Sequence, residues 1–256
     1  MIELLQFRHS PYNEKVRWAL DLKRVPHRRR SLLPGPHMAK VKKLTRQTAT
    51  PVLINDGEVI TGSARILDWL EARYPEPRLI PAAPDLCAAA MALQREFDED
   101  ITPRIRCAVL DALLANRRYF ARIFAEAESP LSRGFYACIV PLAAPLVRKG
   151  NGISGPAAVE EGIAAAHAAL DRAATQAATT GFLVGKEFSI ADITVAAALA
   201  TVVRPDNSPM YAPRPVAPAF AALMARFARH PGADWVRGIY AKRRVASADF
   251  EGTSPY

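Results

Sequence analysis

The pattern of apolar residues changes at a proline-rich stretch, and this change restricts the folds that the chain can adopt. The stretch reads YPEPRLIPAAP, Tyr74–Pro84. Before it, short β-rich runs alternate with short helical patterns, whereas after it helical patterns rich in Ala, Leu and Arg continue almost to the end. We therefore predict an α/β domain over residues 1–80 and an all-α domain over residues 85–256.

The first eighty residues predict a β-α-β unit followed by a β-β-α unit. The run IELLQF is typical of a strand, and Pro11–Lys23 carries apolar residues at helical spacing. Asp56 and Gly57 join two β-rich runs in a hairpin turn, and Ser63 is the expected N-cap of the next helix. This order is that of the thioredoxin-like fold. The arginine-rich run PHRRRSLL, Pro26–Leu33, is expected to be its second strand and to be exposed.

The second part of the chain predicts four long helices and two later ones. The four are Leu86–Leu114, Arg117–Ala127, Leu131–Lys149 and Ala157–Thr179. Pro141 and Pro145 should kink or break the third of them. The proline-rich segment RPDNSPMYAPRPVAP predicts a loop before the last helices, near Phe220 and Trp235.

Composition argues against several classes of protein. Half of the residues are hydrophobic, and no apolar run reaches the roughly 18–20 uncharged residues of a membrane span. The N-terminus lacks the basic and apolar segments of a secretory signal, and the three cysteines are too few for a disulfide scaffold or a zinc site. We therefore expect a cytoplasmic protein with no metal site and no membrane partner.

The net charge of +9 indicates an anionic partner or a solvated basic face. The densest basic run is KRVPHRRR, Lys23–Arg30, and its arginine stems can cover apolar surface while their charges stay in water. A small anionic ligand also fits. Neither an aromatic platform nor a helix-turn-helix pattern lies nearby, so we expect no nucleic-acid partner.

Ser10 stands where the first strand ends and the first helix begins, and two interpretations of it are open. With Pro11 at the first helical position, Ser10 is a normal N-cap. It also lies at the carboxyl end of a strand, where open α/β sheets bind ligands, and at a helix N-terminus, which stabilises an anion. In the run S-P-Y-N it occupies the place of the first cysteine of a redox motif. Its hydroxyl can donate a hydrogen bond to a ligand's sulfur and so lower the pKa of that thiol.

Three stretches, in order along the chain, resemble the soluble glutathione transferase superfamily. SPYNEKVRWAL is similar to the start of its serine-type classes, and TATPVLINDGEVITGSARILDWLEARYP to the stretch that carries a cis-proline, a hairpin and a glutathione-contacting serine. FLVGKEFSIADITVAAAL resembles a motif of its helical domain. The resemblance implies a thioredoxin-like domain followed by an all-helical domain, glutathione as co-substrate, and a homodimer with Arg65 as a candidate contact.

The resemblance also implies the site residues. Thr50 would offer its backbone N–H and C=O to the cysteinyl part of glutathione, Pro51 would be the cis-proline, and Ser63 would bind the γ-glutamyl carboxylate at a helix N-terminus. Gly62 precedes this serine in the same binding stretch. Ser10 would be the catalytic residue that stabilises the glutathione thiolate, which attacks a small hydrophobic electrophile in a detoxification reaction.

Two positions depart from the family pattern. Gly62 stands where relatives usually carry a Glu or Gln for the ammonium group of glutathione, and Ala49 where they often carry a Lys or Gln for a carboxylate. The candidate replacements are Arg46, Gln47, His37 or Lys40 for the carboxylate, and Asp98 or Asp100 of a partner subunit for the ammonium group.

The departures leave a second hypothesis open, in which the chain is a non-catalytic module that binds a hydrophobic ligand or a partner protein. Glutathione-dependent isomerisation or peroxide reduction with the same serine also stays open.

Ser189 and Asp192 predict a capping box, which serves folding. Six aromatic residues either line an acceptor pocket or belong to the core: Phe97, Tyr119, Phe120, Phe124, Phe135 and Tyr136.

Overall fold

A computed structural model describes residues 1–126, 128–244 and 252–254. The N-terminal, thioredoxin-like domain contains β1 (Ile2–Gln6), α1 (Pro11–Leu22), β2 (His27–Ser31), α2 (His37–Thr45), β3 (Val52–Asn55), β4 (Glu58–Thr61) and α3 (Ser63–Arg73). The predicted order of strands and helices is confirmed. The division of the chain between residues 80 and 85 stays a prediction. The predicted domain end at Tyr256 and the predicted helix end at Ala127 lie outside the described residues.

The sheet is mixed, with strand order β4-β3-β1-β2-β5, where β5 is the short segment Gly252–Thr253. β1 runs parallel to β2 and antiparallel to β3, and β3 and β4 form the predicted hairpin. Asp56 and Gly57 both have positive φ, as a two-residue hairpin turn requires. The sequence did not predict β5, which brings the C-terminal part of the chain back to the first domain by pairing antiparallel with β2.

The second domain is helical. Its elements are α4 (Pro84–Glu96), a π-helical turn (Phe97–Ile101), α5 (Thr102–Leu114), α6 (Arg117–Phe124), α7 (Pro130–Gly150), α8 (Pro156–Ala177), α9 (Ile190–Val203), α10 (Pro218–Ala225) and α11 (Pro231–Arg243). The single long helix predicted over Leu86–Leu114 is therefore wrong in one respect, because the π-helical turn interrupts it.

Pro141 and Pro145 were expected to kink or break α7, and the break is wrong, since α7 continues through both prolines. Each proline removes one backbone N–H from the helix and leaves one carbonyl without its usual partner. The carbonyl left by Pro145 is that of exposed Pro141, which water can reach, whereas the carbonyl left by Pro141 is that of buried Ala137. The Ser129 hydroxyl caps the helix by accepting a hydrogen bond from the Ser132 N–H at 3.1 Å.

The core is continuous between the two domains, and α9 lies at its centre. Every residue from Ile190 to Val202 is buried, which suits a helix that is apolar on all sides. The predicted capping box starts this helix, with Asp192 accepting hydrogen bonds from the Ser189 and Leu183 N–H groups at 2.9 Å. Burial raises the pKa of Asp192 to about 6. Across the domains, the Trp18 indole of α1 donates to the Arg243 carbonyl at 3.0 Å.

A buried ion network includes Arg29 of the basic run, whereas Arg24 and Arg28 of that run are exposed, as a solvated face requires. The two carboxylates are Glu14 and Asp21, and the three cations are Arg17, Arg29 and Arg244. Arg244 contacts Glu14 and Asp21, each at 2.8 Å, although it lies more than two hundred positions further along the chain. Since His27 and Arg29 of β2 are fully buried while Arg28 is exposed, the prediction of an exposed second strand is wrong for one face of the strand.

The network keeps its arginines charged through the two carboxylates. Burial lowers the pKa of Arg17 to about 10, which still leaves its guanidinium protonated at neutral pH. Burial also lowers the pKa of Arg244, but Glu14 and Asp21 outweigh that effect and raise it overall. The contacts of Arg244 therefore join α11 to α1 at a point from which water is excluded.

Replacing Arg244 with alanine should destabilise the protein by about 3–5 kcal/mol, because Glu14 and Asp21 each lose a buried charged hydrogen bond, worth about 1.5–3 kcal/mol, and keep one cation partner each. The free energy of unfolding from urea titrations measures this. The matched control is Arg226→Ala, which removes an exposed pair with Glu160 and should cost less than about 1 kcal/mol. Equal losses in the two variants would contradict the account of the buried network.

Candidate functional site

A cavity of about 550 Å³ lies between the thioredoxin-like domain and the first helices of the helical domain. Four of the five predicted site residues line it: Thr50, Pro51, Gly62 and Ser63. The Thr50–Pro51 peptide bond is cis, as the family resemblance implied. The Gly62 N–H donates to the Pro51 carbonyl at 3.3 Å, so this hydrogen bond joins the two segments that supply these residues.

Ser63 is the first residue of α3 and is buried, so the prediction that it is the N-cap is wrong by one position. Gly62 occupies the N-cap position with a φ of 86°, and the helix begins directly after it. The Ser63 hydroxyl and the free N–H groups of the first turn lie together at the cavity, where the helix dipole favours an anion. Glycine reaches this positive φ without strain.

Ser10 is half-buried at the N-terminus of α1 and is not among the residues that line the cavity. Its carbonyl accepts hydrogen bonds from the Asn13 and Glu14 N–H groups, so its backbone has the N-cap role that the sequence predicted. Its side chain makes no capping hydrogen bond. The predicted cap is therefore confirmed for the backbone and wrong for the hydroxyl.

Hydrogen bonds from the side chains of Arg17 and Asn13 fix the turn that carries Ser10. The buried Arg17 guanidinium donates to the Phe7 carbonyl at 3.2 Å and to the Arg8 carbonyl at 2.9 Å, just before the turn. After the turn, the Asn13 amide donates to the Thr50 hydroxyl at 3.2 Å. The turn is thereby tied to the buried ion network on one side and to the cavity on the other.

The sequence missed a contact between α1 and the π-helical turn at the cavity. The Tyr12 hydroxyl donates to the Asp98 carbonyl at 2.8 Å, and the Lys15 ammonium donates to the Asp98 carboxylate at 2.7 Å. Burial raises the pKa of Tyr12 to about 12, so its phenol keeps its proton. Burial lowers the pKa of Lys15, while Asp98 acts in the opposite direction. Asp98 therefore lies at this chain's own cavity and holds the two domains together.

Positively and negatively charged side chains both line the cavity. The cations are Arg65, Arg95 and Arg106, and the anions are Asp68, Asp98 and Glu99. The Arg106 guanidinium also lies 6.0 Å from the centre of the Tyr12 ring, at the outer limit of a cation–π contact. A ligand that carries carboxylates and an ammonium group has complementary side chains available here.

The residues expected to replace the carboxylate clamp are not part of the described lining of this cavity: His37, Lys40, Arg46 and Gln47. The His37 ring lies 3.0 Å from the Thr48 carbonyl, and the Gln47 amide donates to the Ala49 carbonyl at 3.1 Å. Asp100 pairs with Arg104 on the surface. The arginines of α3, α4 and α5 are thus better placed than these four residues to bind a carboxylate.

The six aromatic residues do not form an acceptor pocket in this cavity. Phe97, Tyr119 and Phe120 belong to the core, as the alternative interpretation held, and Phe135 is 69% exposed on α7. The apolar part of the lining comes from shorter side chains, including Ala64 and Met91.

Comparison with protein families matches both parts of the chain. Residues 4–78 match the glutathione S-transferase N-terminal domain, and residues 156–226 match the glutathione S-transferase C-terminal domain. The chain belongs to the glutathione transferase superfamily. The structure of a glutathione S-transferase from Rhodospirillum rubrum F11 superposes with a TM-score of 0.62 and 21% identity, over 94% of this chain and 89% of that one.

Two curated relatives are more similar in sequence but over a shorter stretch. A probable maleylacetoacetate isomerase of Caenorhabditis elegans is 30% identical over 125 residues, which cover 48% of this chain and 58% of the relative. A maleylpyruvate isomerase of a Ralstonia species is 33% identical over 105 residues, 40% of this chain and 50% of the relative. The chain therefore spans little more than half the length of the curated relatives that it matches.

Gln94 is a residue of this glutathione transferase cavity that the sequence did not single out. It is 98% buried, yet its amide nitrogen has no hydrogen-bond partner among the described residues. Its position in the sequence could have indicated its burial, because Gln94 lies four residues after Ala90 and so on the inner face of an otherwise apolar helix pattern. An unpaired buried amide costs free energy in the absence of a ligand, which is typical of a binding position.

Replacing Gln94 with leucine should therefore raise the free energy of unfolding by about 1 kcal/mol, because a similar volume is kept and an unpaired polar group is removed. Urea unfolding measures the change. The control is Gln6→Leu, since the buried Gln6 amide accepts a hydrogen bond from Arg17 at 2.8 Å, and its loss should destabilise the protein. A destabilised Gln94→Leu variant would show that the amide has a partner in the folded protein.

Proposed function

We propose that this protein is a glutathione-dependent enzyme that joins the glutathione sulfur to a small, mainly hydrophobic electrophile. The proposal rests on one observation: Thr50, Pro51, Gly62 and Ser63 line a single cavity together with the N-terminus of α3. That arrangement supplies what a γ-glutamyl-cysteinyl peptide needs, namely an anion site at a helix N-terminus beside the backbone N–H and C=O of the residue that precedes a cis-proline.

The charged lining residues would replace the two missing side-chain clamps. Asp68, Asp98 and Glu99 are the candidates for the ammonium group, and Arg65, Arg95 and Arg106 for the glycyl carboxylate. The carboxylate of Asp98 already pairs with Lys15, so Asp68 and Glu99 are the freer of the three acids. Because these charged side chains are exposed or partly exposed, the binding of glutathione should depend on salt concentration.

Bound glutathione supplies the thiol nucleophile, and Ser10 is the residue proposed to activate it. A hydroxyl that donates to sulfur stabilises the thiolate more than the thiol and so lowers the thiol's pKa. The side chain of Ser10 is available for this, since it does not cap α1. Arg17 and Asn13 would act as positioning residues, because their hydrogen bonds hold the turn on either side of Ser10.

Isomerisation of a carbon–carbon double bond is the second candidate function. It is favoured by the names of the two curated relatives, a probable maleylacetoacetate isomerase and a maleylpyruvate isomerase. The same thiolate site would serve, because adding and then expelling the sulfur leaves glutathione unchanged and the alkene rotated. Product analysis distinguishes the two functions, since glutathione is consumed only in conjugation.

For either function we expect a homodimer, with exposed Arg65 as a candidate contact.

Ser63→Ala should weaken the binding of glutathione about tenfold to a hundredfold, because a hydrogen bond to a carboxylate is worth about 1.5–3 kcal/mol. Calorimetric titration of the purified protein measures the dissociation constant. Ser132→Ala, on the exposed side of α7, is the control and should leave it unchanged. If the unaltered protein releases no heat with glutathione, the proposal fails and the fold serves as a binding module for another ligand.

Ser10→Ala should lower turnover about a hundredfold while changing glutathione affinity little, because the hydroxyl acts mainly on the charged sulfur. Steady-state kinetics with a panel of electrophiles and alkenes, combined with the calorimetry above, separates the two quantities. A large loss of affinity with unchanged turnover of the bound complex would assign Ser10 a structural role only.

A further inference from the structure

The side chain of Thr50 carries a hydroxyl proton that the described part of the chain does not use. Thr50 is half-buried and lines the cavity beside Pro51. Its hydroxyl oxygen accepts a hydrogen bond from the Asn13 amide at 3.2 Å, whereas its O–H donates to no described residue. Because Asn13 donates to this oxygen, the hydroxyl proton points away from the Asn13 amide and is available to a ligand in the cavity.

The contact with Asn13 also brings Thr50 to the turn that holds Ser10. Asn13 is the third residue of α1, and its N–H donates to the Ser10 carbonyl at 3.1 Å. Ser10 is the N-cap of this helix, three positions before Asn13, and residues three apart lie on the same side of a helix. The hydroxyl groups of Ser10 and Thr50 therefore both lie at the first turn of α1.

The first turn of α1 is a favourable place for a negatively charged sulfur. A helix N-terminus carries a partial positive charge. The other polar side chains of the turn already have partners, since the Tyr12 hydroxyl donates to the Asp98 carbonyl and two buried arginines hold the Glu14 carboxylate. The hydroxyl groups that remain for a ligand at this turn, among the described residues, are those of Ser10 and Thr50.

We propose that the Thr50 hydroxyl donates a second hydrogen bond to the glutathione sulfur, beside the one from Ser10. The inference rests on the proposed function, in which the backbone of Thr50 binds the cysteinyl part of glutathione. The N–H and C=O of Thr50 have no partner among the described residues, so both are available for that contact. Two hydroxyl donors stabilise the charged sulfur more than the neutral thiol. Thr50 is then a catalytic residue, and Asn13 is a positioning residue that directs its proton towards the ligand.

Thr50→Val removes the hydroxyl and keeps the shape of the side chain. In the complex with glutathione it should raise the pKa of the bound thiol by about one unit, which means a roughly tenfold smaller thiolate fraction below that pKa. The ultraviolet absorbance of the thiolate, followed during a pH titration of the complex, measures this pKa. The pH profile of turnover should move to higher pH by the same amount, because the reaction needs the thiolate.

Three further variants separate the hydroxyl from other effects. Thr50→Ser keeps the hydroxyl and should restore most of the lowered pKa. Thr50→Ala leaves room for a water beside the Asn13 amide and should repeat the result of Thr50→Val, even if the valine variant folds poorly. Thr48→Val makes the same chemical change on an exposed residue outside the described lining of the cavity, and it should leave the pKa of the bound thiol unchanged.

The results that overturn this inference differ from those that overturn the proposed function. A thiol pKa that rises in Ser10→Ala but not in Thr50→Val or Thr50→Ala would remove Thr50 from the reaction and leave the proposed function in place. An equal rise in Thr50→Val and Thr50→Ser would also overturn the inference, because the effect would not come from the hydroxyl. If the unaltered protein does not bind glutathione in the calorimeter, both fail.

Discussion

Two buried carboxylates hold three buried arginines, and this network fixes how the first helix, the second strand and the end of the last helix meet. Ions taken out of water are costly unless each finds a partner with good geometry. Glu14 and Asp21 provide such geometry for Arg17, Arg29 and Arg244, with contacts of 2.6–2.8 Å. Arg17 also holds the carbonyls just before Ser10, so the same charges that join the domains determine the path of the chain into the candidate site.

The cavity depends on a second set of contacts at the other side of α1. Tyr12 and Lys15 meet Asp98 there, while Asn13 meets Thr50. Four successive residues of this helix, Tyr12–Lys15, therefore reach the helical domain, the cis-proline turn and the buried network. This explains why α1 carries so many polar residues that are buried. Their role is to orient neighbouring elements, and the apolar side chains of Val16, Trp18 and Leu20 supply the packing.

Local patterns predicted the parts of this protein that local interactions determine. The hairpin at Asp56-Gly57, the capping box at Ser189 and the order of elements follow from turn chemistry and periodicity. The burial of β2 could not be predicted in this way, because the strand that pairs with its outer edge is β5, more than two hundred positions further along the chain. Thr50, Pro51 and Ser63 were found as site residues only through resemblance. Gln94 was missed, and Asp98 was named only as a residue of a partner subunit, because their positions at the cavity come from packing between domains.

The π-helical turn between α4 and α5 changes which residues of these two helices lie on the same side. Residues twelve apart in a regular helix point about 120° apart, but one extra residue in the turn reduces this to about 20°. Gln94 and Arg106 are such a pair, and both line the cavity. Beyond the turn, Gly162 of α8 packs so tightly on the Arg104 carbonyl that a Cβ would lie 2.3 Å away. The contact between Gly162 and Arg104, which lies outside the cavity, thus fixes the rotation of α5 about its own axis. A one-residue deletion in the turn would therefore either rotate Arg106 away from Gln94 or separate α5 from α8.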